Sequence, residues 1–258
     1  MPKFAANLTL MFTEVPFPER FARARKAGFR AVEFQFPYDH DPNDVARWQD
    51  ESGLETVLFN MPPGDWKAGE RGIASIPGRE AEFRESVDHA IVYALALKAP
   101  RIHTLAGCPP AAADKQKCRD VYVANLRYAA RKLQDHNRTL MIEPVNTRDI
   151  PGFFLNRQDD AHDIREEVGE PNLKVQMDFY HAQIVEGDLS MTFKKYLPHI
   201  GHIQIASVPE RQEPDLGEVN YAHIFDLIDA SGYDGWIGCE YRPKAGTENG
   251  LGWFKKFL

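Results

Sequence analysis

Four segments in the C-terminal half of the chain each end on an oxygen-bearing side chain that can bind a metal ion. Short strand-like runs lead directly into Glu143, Asp178, Gln204 and Glu240. The carboxyl ends of parallel strands are where α/β enzymes assemble their sites, so the four side chains are expected to converge. One such residue is usually a solvated charge or a helix cap, but buried carboxylates that converge repel one another unless a cation is present. Three carboxylates and an amide oxygen form a hard ligand set that predicts one Mg²⁺ or Mn²⁺ ion.

The elements that position these residues follow a regular alternation of short apolar runs and longer amphipathic segments, which is typical of parallel strands joined by helices. Eight strands are predicted at Phe4–Leu8, Ala31–Phe34, Leu54–Phe59, Arg101–Leu105, Thr139–Glu143, Leu173–Asp178, His202–Ile205 and Trp236–Glu240. The clearest helical periodicities cover Arg79–Leu97, Lys115–Leu133 and Tyr221–Ala230. Eight units in a chain of this length predict an α/β, single-domain (β/α)8 TIM barrel over residues 1–258. A doubly wound sheet is the alternative, but no glycine-rich dinucleotide fingerprint follows the first strand.

Composition narrows the class of protein. A chain of 258 residues with 43% hydrophobic content can bury a full-sized core. The balance of 31 Lys and Arg against 38 Asp and Glu gives a net charge of −7, which favours neither nucleic acid nor an anionic membrane as a partner. The three cysteines show no pairing pattern, and we interpret them as reduced thiols. The N-terminus does not resemble a secretory signal, so we expect a soluble, cytoplasmic protein.

One connection is longer than the usual loop. Asn60–Gly78 is rich in glycine and proline and follows the third strand, on the side where a barrel has its site. Trp66 and Arg71 offer apolar cover and positive charge, which a small polar ligand needs. This segment is predicted to be a lid, and the alternative is a packed surface excursion.

Longer motifs resemble the hydroxypyruvate isomerase family, a group within the xylose-isomerase-like TIM barrels. They are VEFQFPYD, GDWKAGERGIASIPGRE, IEPVNTRDIPGF, MDFYH, HIQIA followed by PERQEPDLGEVNY, and GYDGWIGCEYRP followed by GLGWF. The resemblance extends from Phe4 nearly to Leu258. It implies one divalent metal held at Glu143, Asp178, Gln204 and Glu240, with the two glutamates as the proton-transfer pair.

The resemblance predicts an aldose–ketose type isomerase that interconverts hydroxypyruvate and 2-hydroxy-3-oxopropanoate (tartronate semialdehyde) through an enediolate. Such a reaction needs a base, an acid and a cation near the oxygens where charge develops. Which glutamate takes the proton first is open. Close relatives include 2-oxo-tetronate isomerases, which the MFTEVPF and VPERQEPD segments resemble more. A four-carbon sugar acid is therefore the alternative substrate, and only pocket volume would discriminate between the two 2-oxo hydroxy acids.

Four further residues are predicted to contact the substrate. His181 follows Asp178 at the Asp-x-x-His spacing of related isomerases and epimerases, where the histidine hydrogen-bonds the substrate; a helix-capping role is the alternative. Arg211 matches a substrate-contacting arginine of related epimerases, and a guanidinium suits a substrate carboxylate. His103 and Asn60 end two neighbouring strands and are expected to face the same mouth, with a purely structural burial as the alternative.

Other readings stay open at this point. Glu33 ends the second strand and is a candidate pocket residue with no role implied by the resemblance. A sugar epimerase is a less favoured activity on the same barrel. An endonuclease IV type of hydrolase would need several histidine ligands where this chain has Asn60 and Gln204. A non-catalytic sugar-acid sensor would need the metal and Arg211 but not both glutamates. Family members often associate, which leaves a homo-oligomer open.

Overall fold

Eight parallel strands close into a barrel in the computed structural model, which describes residues 1–258. Each strand pairs with the next along the chain, and the last pairs with the first. The strands are β1 (Lys3–Asn7), β2 (Ala31–Phe34), β3 (Glu55–Asn60), β4 (Arg101–His103), β5 (Thr139–Ile142), β6 (Leu173–Asp178), β7 (Ile200–Ile205) and β8 (Trp236–Cys239). The predicted single-domain (β/α)8 barrel is confirmed, with strand ends shifted by at most two residues.

Helices occupy the connections between the strands. They are α1 (Phe17–Lys26), α2 (Pro42–Ser52), α3 (Glu80–Ala96), α4 (Lys115–Gln134), α5 (Gln158–Val168), α6 (Phe179–Val185), α7 (Leu189–Tyr196) and α8 (Tyr221–Ala230), with 3₁₀ helices at Leu197–His199 and Glu248–Phe257. Asp41 and Asp114 accept backbone N–H groups at the starts of α2 and α4, so these helices begin where the sequence offers an N-cap. None of the helices combines the length and apolarity required to traverse a bilayer.

The aromatic C-terminus packs against the amino-terminal end of the barrel. Phe254 stacks on Phe29 with ring centroids 4.3 Å apart, and Phe4 of β1 meets Trp253 edge-on at 5.1 Å. Offset and edge-on aromatic contacts of this kind add to the burial of apolar area. Phe4 points to the opposite side of β1 from the inward-facing Asn7, so these contacts hold the C-terminal 3₁₀ helix against the outer face of the barrel.

Two irregularities interrupt the pairing of the strands. The register between β2 and β3 shifts between Val32 and Glu33, and the register between β6 and β7 shifts between Val175 and Gln176. The extra residues are Val57 of β3 and Gly201 of β7, and β-bulges are common beside active sites. Both Glu33 and Gln176 are buried polar residues whose side chains take part in hydrogen bonds inside the barrel.

A buried histidine lies between two helices on the outside of the barrel. His162 of α5 stacks on Tyr196 of α7 with the ring centroids 3.8 Å apart, and neither of its ring nitrogens has a hydrogen-bond partner. Burial lowers the pKa of His162 to about 3, and the positive charges of Arg165, His199 and Lys195 act in the same direction, against Asp159. The folded protein therefore holds this imidazole in its neutral form.

This histidine predicts a loss of stability in acid. The unfolded chain binds a proton at His162 near the ordinary pKa of about 6.5, whereas the folded state binds it only near 3. Its contribution is therefore complete above about pH 6.5 and is lost as the pH falls toward the folded value. His162→Phe keeps an aromatic ring against Tyr196 and should flatten the dependence of unfolding free energy on pH in this window, measured by urea denaturation. His223→Gln, at an exposed position on α8, is the control; equal slopes for His162→Phe and wild type would contradict the prediction.

Candidate active site

A cavity of about 380 Å³ opens at the carboxyl-terminal ends of the strands. Its volume lies within the roughly 300–1,000 Å³ that is usual for small-molecule sites. The predicted site residues that line it are Asn60, His103, Glu143, His181, Gln204, Arg211 and Glu240. Asp178 is fully buried, and its carboxylate lies among those of the lining residues. The structure thus brings every predicted site residue into one place, while their roles stay predictions.

Three carboxylates converge at this mouth. Glu143 follows β5, Asp178 is the last residue of β6, and Glu240 follows β8. One ligand atom from each of these residues, and one from His181, lie within 4.8 Å of one another. Asp178 also begins α6, where its Oδ1 accepts the N–H of Tyr180 at 2.8 Å, so the strand end and the helix start both hold this carboxylate in place.

The environment disfavours three negative charges. Burial raises the pKa of Glu143 well above its ordinary value, and repulsion from Glu240 and Asp178 adds to the shift. Burial likewise raises the pKa of Asp178 to about 7, although Arg211 opposes it, and raises that of Glu240. Glu143 Oε1 and Asp178 Oδ2 are buried without a hydrogen-bond partner. Converging carboxylate oxygens with unused lone pairs fit a divalent cation, so the cluster of Glu143, Asp178, His181 and Glu240 could hold a metal ion.

Arg211 balances part of this charge. Its Nη2 lies 2.7 Å from Glu240 Oε2 and 3.8 Å from Asp178 Oδ2, and its Nη1 lies 3.5 Å from Asp149 Oδ2. Burial opposes its charge, but Glu240 and Asp178 together raise the pKa of Arg211 above its ordinary value. The backbone at Arg211 has a φ of 54°, in the left-handed region, and is held by a 2.8 Å hydrogen bond from its N–H to the Ser207 carbonyl. The loop therefore accepts backbone strain to direct this guanidinium at the carboxylates.

The tautomer of His181 follows from its neighbours. Asn146 donates its backbone N–H to His181 Nδ1 at 3.3 Å, and its side-chain amide lies 2.7 Å from the same nitrogen. Since Nδ1 accepts, the neutral ring carries its hydrogen on Nε2, which faces Asp178 Oδ2 at 3.6 Å. Burial and the charge of Arg211 lower the pKa of His181 well below its ordinary value. His181 is therefore a neutral hydrogen-bond donor at the cavity.

His103 and Asn60 form a second pair on the cavity wall. His103 Nδ1 lies 3.2 Å from Asn60 Oδ1, and His103 Nε2 lies 3.8 Å from Glu143 Oε2 with no hydrogen-bond partner of its own. Burial lowers the pKa of His103 to about 3, with a smaller effect from His202. This ring is therefore neutral, and Asn60 orients it toward Glu143.

The barrel interior holds a buried network centred on Glu33, whose role could not be assigned from the sequence. Glu33 accepts from Asn7 Nδ2 at 2.9 Å and from Gln204 Nε2 at 2.6 Å, and its other oxygen lies 2.6 Å from His202 Nε2. Because β2 and β7 are not neighbours in the barrel, these contacts cross its interior. Gln176 donates to Gln204 Oε1 at 2.6 Å, so both ends of the Gln204 amide are fixed.

A glycine makes room for this network. Gly238 of β8 lies directly against the Glu33 carboxylate, and a Cβ atom at this position would overlap it. The sequence signal for the network was a charged residue inside the otherwise apolar run AVEF. Its partners could not be inferred, because they depend on how the barrel closes and brings β1, β2 and β7 together.

The predicted lid contributes two side chains to the cavity wall, Trp66 and Arg71. Its base is attached to the loop after β4 through an antiparallel bridge between Gly72 and Ala106, and Ser75 donates its N–H to the Ala106 carbonyl at 2.8 Å. Gly72 has a φ of 103°, and a Cβ there would overlap the Leu105 carbonyl, so this close approach requires glycine. Closure of the lid stays a prediction.

Residues 21–257 match the xylose isomerase-like TIM barrel family, and the chain belongs to this family. It is 56% identical to the 2-oxo-tetronate isomerase of Cupriavidus necator, over 100% of this chain and 99% of that protein. It is 47% identical to the hydroxypyruvate isomerase of Escherichia coli, over 100% of both chains. A crystal structure of a Brucella melitensis protein described as AP endonuclease, family 2, superposes with a TM-score of 0.98 at 51% identity, over 100% of this chain and 99% of that one.

These findings confirm the resemblance seen in the sequence motifs. Relatives that match over their full length carry the names of isomerases, which supports an enzyme of the isomerase class. The predicted alternative of a 2-oxo-tetronate isomerase is also found among them.

The hydrogen-bond network around Glu33 predicts that a substitution of this residue lowers stability and turnover, although Glu33 does not line the cavity. Glu33→Gln replaces one acceptor oxygen by a donor, so His202 can no longer donate its Nε2–H to this side chain while Asn7 and Gln204 keep their contacts. We expect a loss of about 1–3 kcal/mol in unfolding free energy and a fall in turnover of about 10–100-fold because Gln204 loses its support. Thermal unfolding and a turnover assay measure both. Glu55→Gln, at the exposed start of β3, is the matched control; wild-type turnover in Glu33→Gln would show that the network does not position the site.

Proposed function

We propose that this protein is an isomerase of short 2-oxo hydroxy acids that moves a proton between adjacent carbons through an enediolate. The observation that carries the proposal is the pair of buried glutamates, Glu143 and Glu240, whose carboxylates approach within 4.8 Å at one small cavity. A base and an acid this close can serve two neighbouring carbons of one substrate. The isomerase names of full-length relatives support the same reaction class.

Two substrates are candidates. Hydroxypyruvate, the substrate named for the Escherichia coli relative, would give 2-hydroxy-3-oxopropanoate. The four-carbon 2-oxo-tetronate would give its 3-oxo isomer by the same transfer. The four-carbon acid is the second candidate. It is supported by the 56% identity to the Cupriavidus necator enzyme, which exceeds the 47% identity to the Escherichia coli enzyme. The same site residues can act on both acids, because the acids differ only by one carbon beyond the reacting C2 and C3.

The proton transfers follow from the positions of the two glutamates. One carboxylate removes a proton from C3 of the substrate, and the electron pair forms the C2–C3 double bond of the enediolate. The other glutamate delivers a proton to C2, while a hydroxyl hydrogen passes from the oxygen on C3 to the oxygen on C2. Atoms and electrons balance within the substrate, so no redox partner is required. The order in which Glu143 and Glu240 act is open.

A divalent metal, Mg²⁺ or Mn²⁺, fits the hard oxygen set of Glu143, Asp178 and Glu240, with the Gln204 amide oxygen as the fourth predicted ligand. When bound, the cation supplies electrostatic stabilisation of the negative charge that develops on the substrate oxygens. His181 lies beside these ligands, but its Nδ1 accepts a backbone N–H and its Nε2 carries the hydrogen. We therefore assign it to the substrate as a hydrogen-bond donor.

The remaining predicted contacts fit the same site. Arg211 holds the Glu240 carboxylate at 2.7 Å and lies where it can also contact a substrate oxygen. His103 and Asn60 line the opposite wall beside Glu143 and offer neutral polar groups to the substrate hydroxyls. All of these groups are buried or half-buried, which limits their own contact with water.

A nuclease is the rival activity, because the Brucella melitensis protein carries that description. A hydrolase of that type needs several metals and several histidine ligands. This structure has one cluster of potential ligands, which contains a single histidine. The excess of 38 acidic over 31 basic residues also gives little attraction to a phosphate backbone. These observations support a small-molecule substrate.

Removal of either glutamate tests the proposal. Glu143→Gln and Glu240→Gln should each lower turnover by about 10²–10⁴-fold, because a positioned acid or base is lost. Each variant should keep its far-ultraviolet circular dichroism. The assay is conversion of hydroxypyruvate and of 2-oxo-tetronate, followed by NMR in D₂O so that deuterium incorporation at carbon is seen.

Glu213→Gln is the matched control, since Glu213 is also buried and lies in the loop after β7 but does not line the cavity. It should keep turnover near that of wild type. Wild-type turnover in either Glu143→Gln or Glu240→Gln would overturn the two-glutamate mechanism, and a wild-type protein that incorporates no deuterium into either acid would overturn the proposed function.

Metal binding can be tested apart from activity. Mn²⁺ added to EDTA-treated protein at about 100 times its dissociation constant should stabilise the fold by about 2.7 kcal/mol, which raises Tm by about 5–10 °C for a domain of this size. Asp178→Asn should abolish this increase. It should not lower the Tm of the metal-free protein, because it removes one of three repelling charges. An equal Mn²⁺-dependent increase in Asp178→Asn and wild type would exclude Asp178 as a ligand.

A further inference from the structure

The lid carries an arginine with an unusually fixed guanidinium. Arg71 lies over the ring of Trp66 with its guanidinium carbon 3.8 Å from the ring centroid, and Trp66 in turn contacts Phe36 with centroids 5.0 Å apart. All three side chains line the cavity. Stacking on an aromatic face holds a guanidinium plane in one orientation while its edge stays free for a ligand.

The hydrogen bonds of Arg71 leave part of this edge unused. Its Nη1 donates to the carbonyls of Trp66 at 3.1 Å and Glu70 at 2.7 Å, whereas Nε and Nη2 donate to no protein group. Glu70, the adjacent acid, pairs instead with Arg79 and accepts the N–H of Asp65. Arg71 therefore forms no ion pair within the protein, and its charge is uncompensated at the cavity wall.

The other two arginines of the cavity are less suited to bind an anion. Arg211 lies against three carboxylates, those of Glu240, Asp178 and Asp149. Arg242 is exposed and has no aromatic partner that would orient it. A substrate anion that approached Arg211 would also meet the carboxylates around it. Electrostatics therefore favours Arg71 as the receptor for a negative group.

We propose that Arg71 binds the carboxylate of the substrate through Nε and Nη2, and so selects 2-oxo acids over neutral ketoses. This inference rests on the proposed function, because it requires an acid as the substrate. A carboxylate matches the planar edge of a guanidinium with two parallel hydrogen bonds. A neutral ketose of the same length has a hydroxymethyl group in place of the carboxylate and would leave this charge unpaired.

The geometry of the lid fits this task. Gly72, the residue after Arg71, is bridged to Ala106 in the loop that follows β4, and Gly72 N–H donates to the Pro63 carbonyl at 2.8 Å. The guanidinium is thus fixed at its stem by the backbone and at its head by Trp66. A group held in its binding orientation before the ligand arrives loses less conformational entropy on binding.

Arg71→Met tests the inference, because it keeps an unbranched side chain and removes the charge. KM for the 2-oxo acid that wild type converts should rise about 10–100-fold, consistent with one lost charge-assisted contact, with little change in kcat. D-glycerate, which has the carboxylate but no ketone, should lose inhibition by a similar factor. Glycerol, its neutral counterpart without the carboxylate, should inhibit both proteins equally. Arg71→Lys keeps the charge without the planar edge and should give an intermediate KM.

Arg84→Met is the matched control. Arg84 also stacks on an aromatic ring, that of Tyr128 at 5.0 Å, but it lies on α3 and does not line the cavity. Its KM should equal that of wild type. If wild type converts a 2-oxo acid and Arg71→Met has the wild-type KM, the inference about Arg71 fails and the proposed function stands. If Arg71→Met loses kcat at an unchanged KM, the carboxylate contact is likewise overturned. If wild type converts no 2-oxo acid, the proposed function itself fails.

Discussion

Mutual repulsion among three buried carboxylates at the barrel mouth is the constraint on which the rest of the site depends. Glu143, Asp178 and Glu240 are held close together by three different strand ends, in surroundings that disfavour charge. Partial compensation comes from Arg211, whose loop adopts a left-handed backbone conformation to reach them. The nearby histidines are kept neutral by burial, so they add hydrogen bonds without adding charge. Such an arrangement is costly for folding and is typical of a site built for a cation and for chemistry.

Charge is distributed unevenly over the cavity, which gives it two ends. The end formed by β5, β6 and β8 is rich in carboxylates with one arginine among them. The end formed by the lid has an aromatic surface, Trp66 against Phe36, and a guanidinium without a carboxylate partner. A small polar anion placed between them has its negative group toward the lid and its neutral, reacting part toward the glutamates. Under the proposed function, this polarity would orient the substrate before any specific contact forms.

Much of this arrangement could be predicted from the sequence, and the part that could not has a physical reason. The strand ends at Glu143, Asp178 and Glu240 were visible because each follows an apolar run, and parallel strands end at a common edge. The partner of Arg211, the tautomer of His181 and the role of Glu33 were not visible. Each depends on contacts between segments far apart in the chain. Local sequence patterns indicate where the strands lie, whereas these contacts depend on how the strands close into a barrel.

Gly238 has a consequence for how the barrel tolerates change over evolutionary time. It has no side chain where the Glu33 carboxylate lies, and Glu33 in turn accepts hydrogen bonds from β1 and β7. The two positions therefore share a single volume, although they come from opposite ends of the chain. Homologues with a larger residue in place of Gly238 must carry a shorter one in place of Glu33, so we expect the two positions to be substituted together.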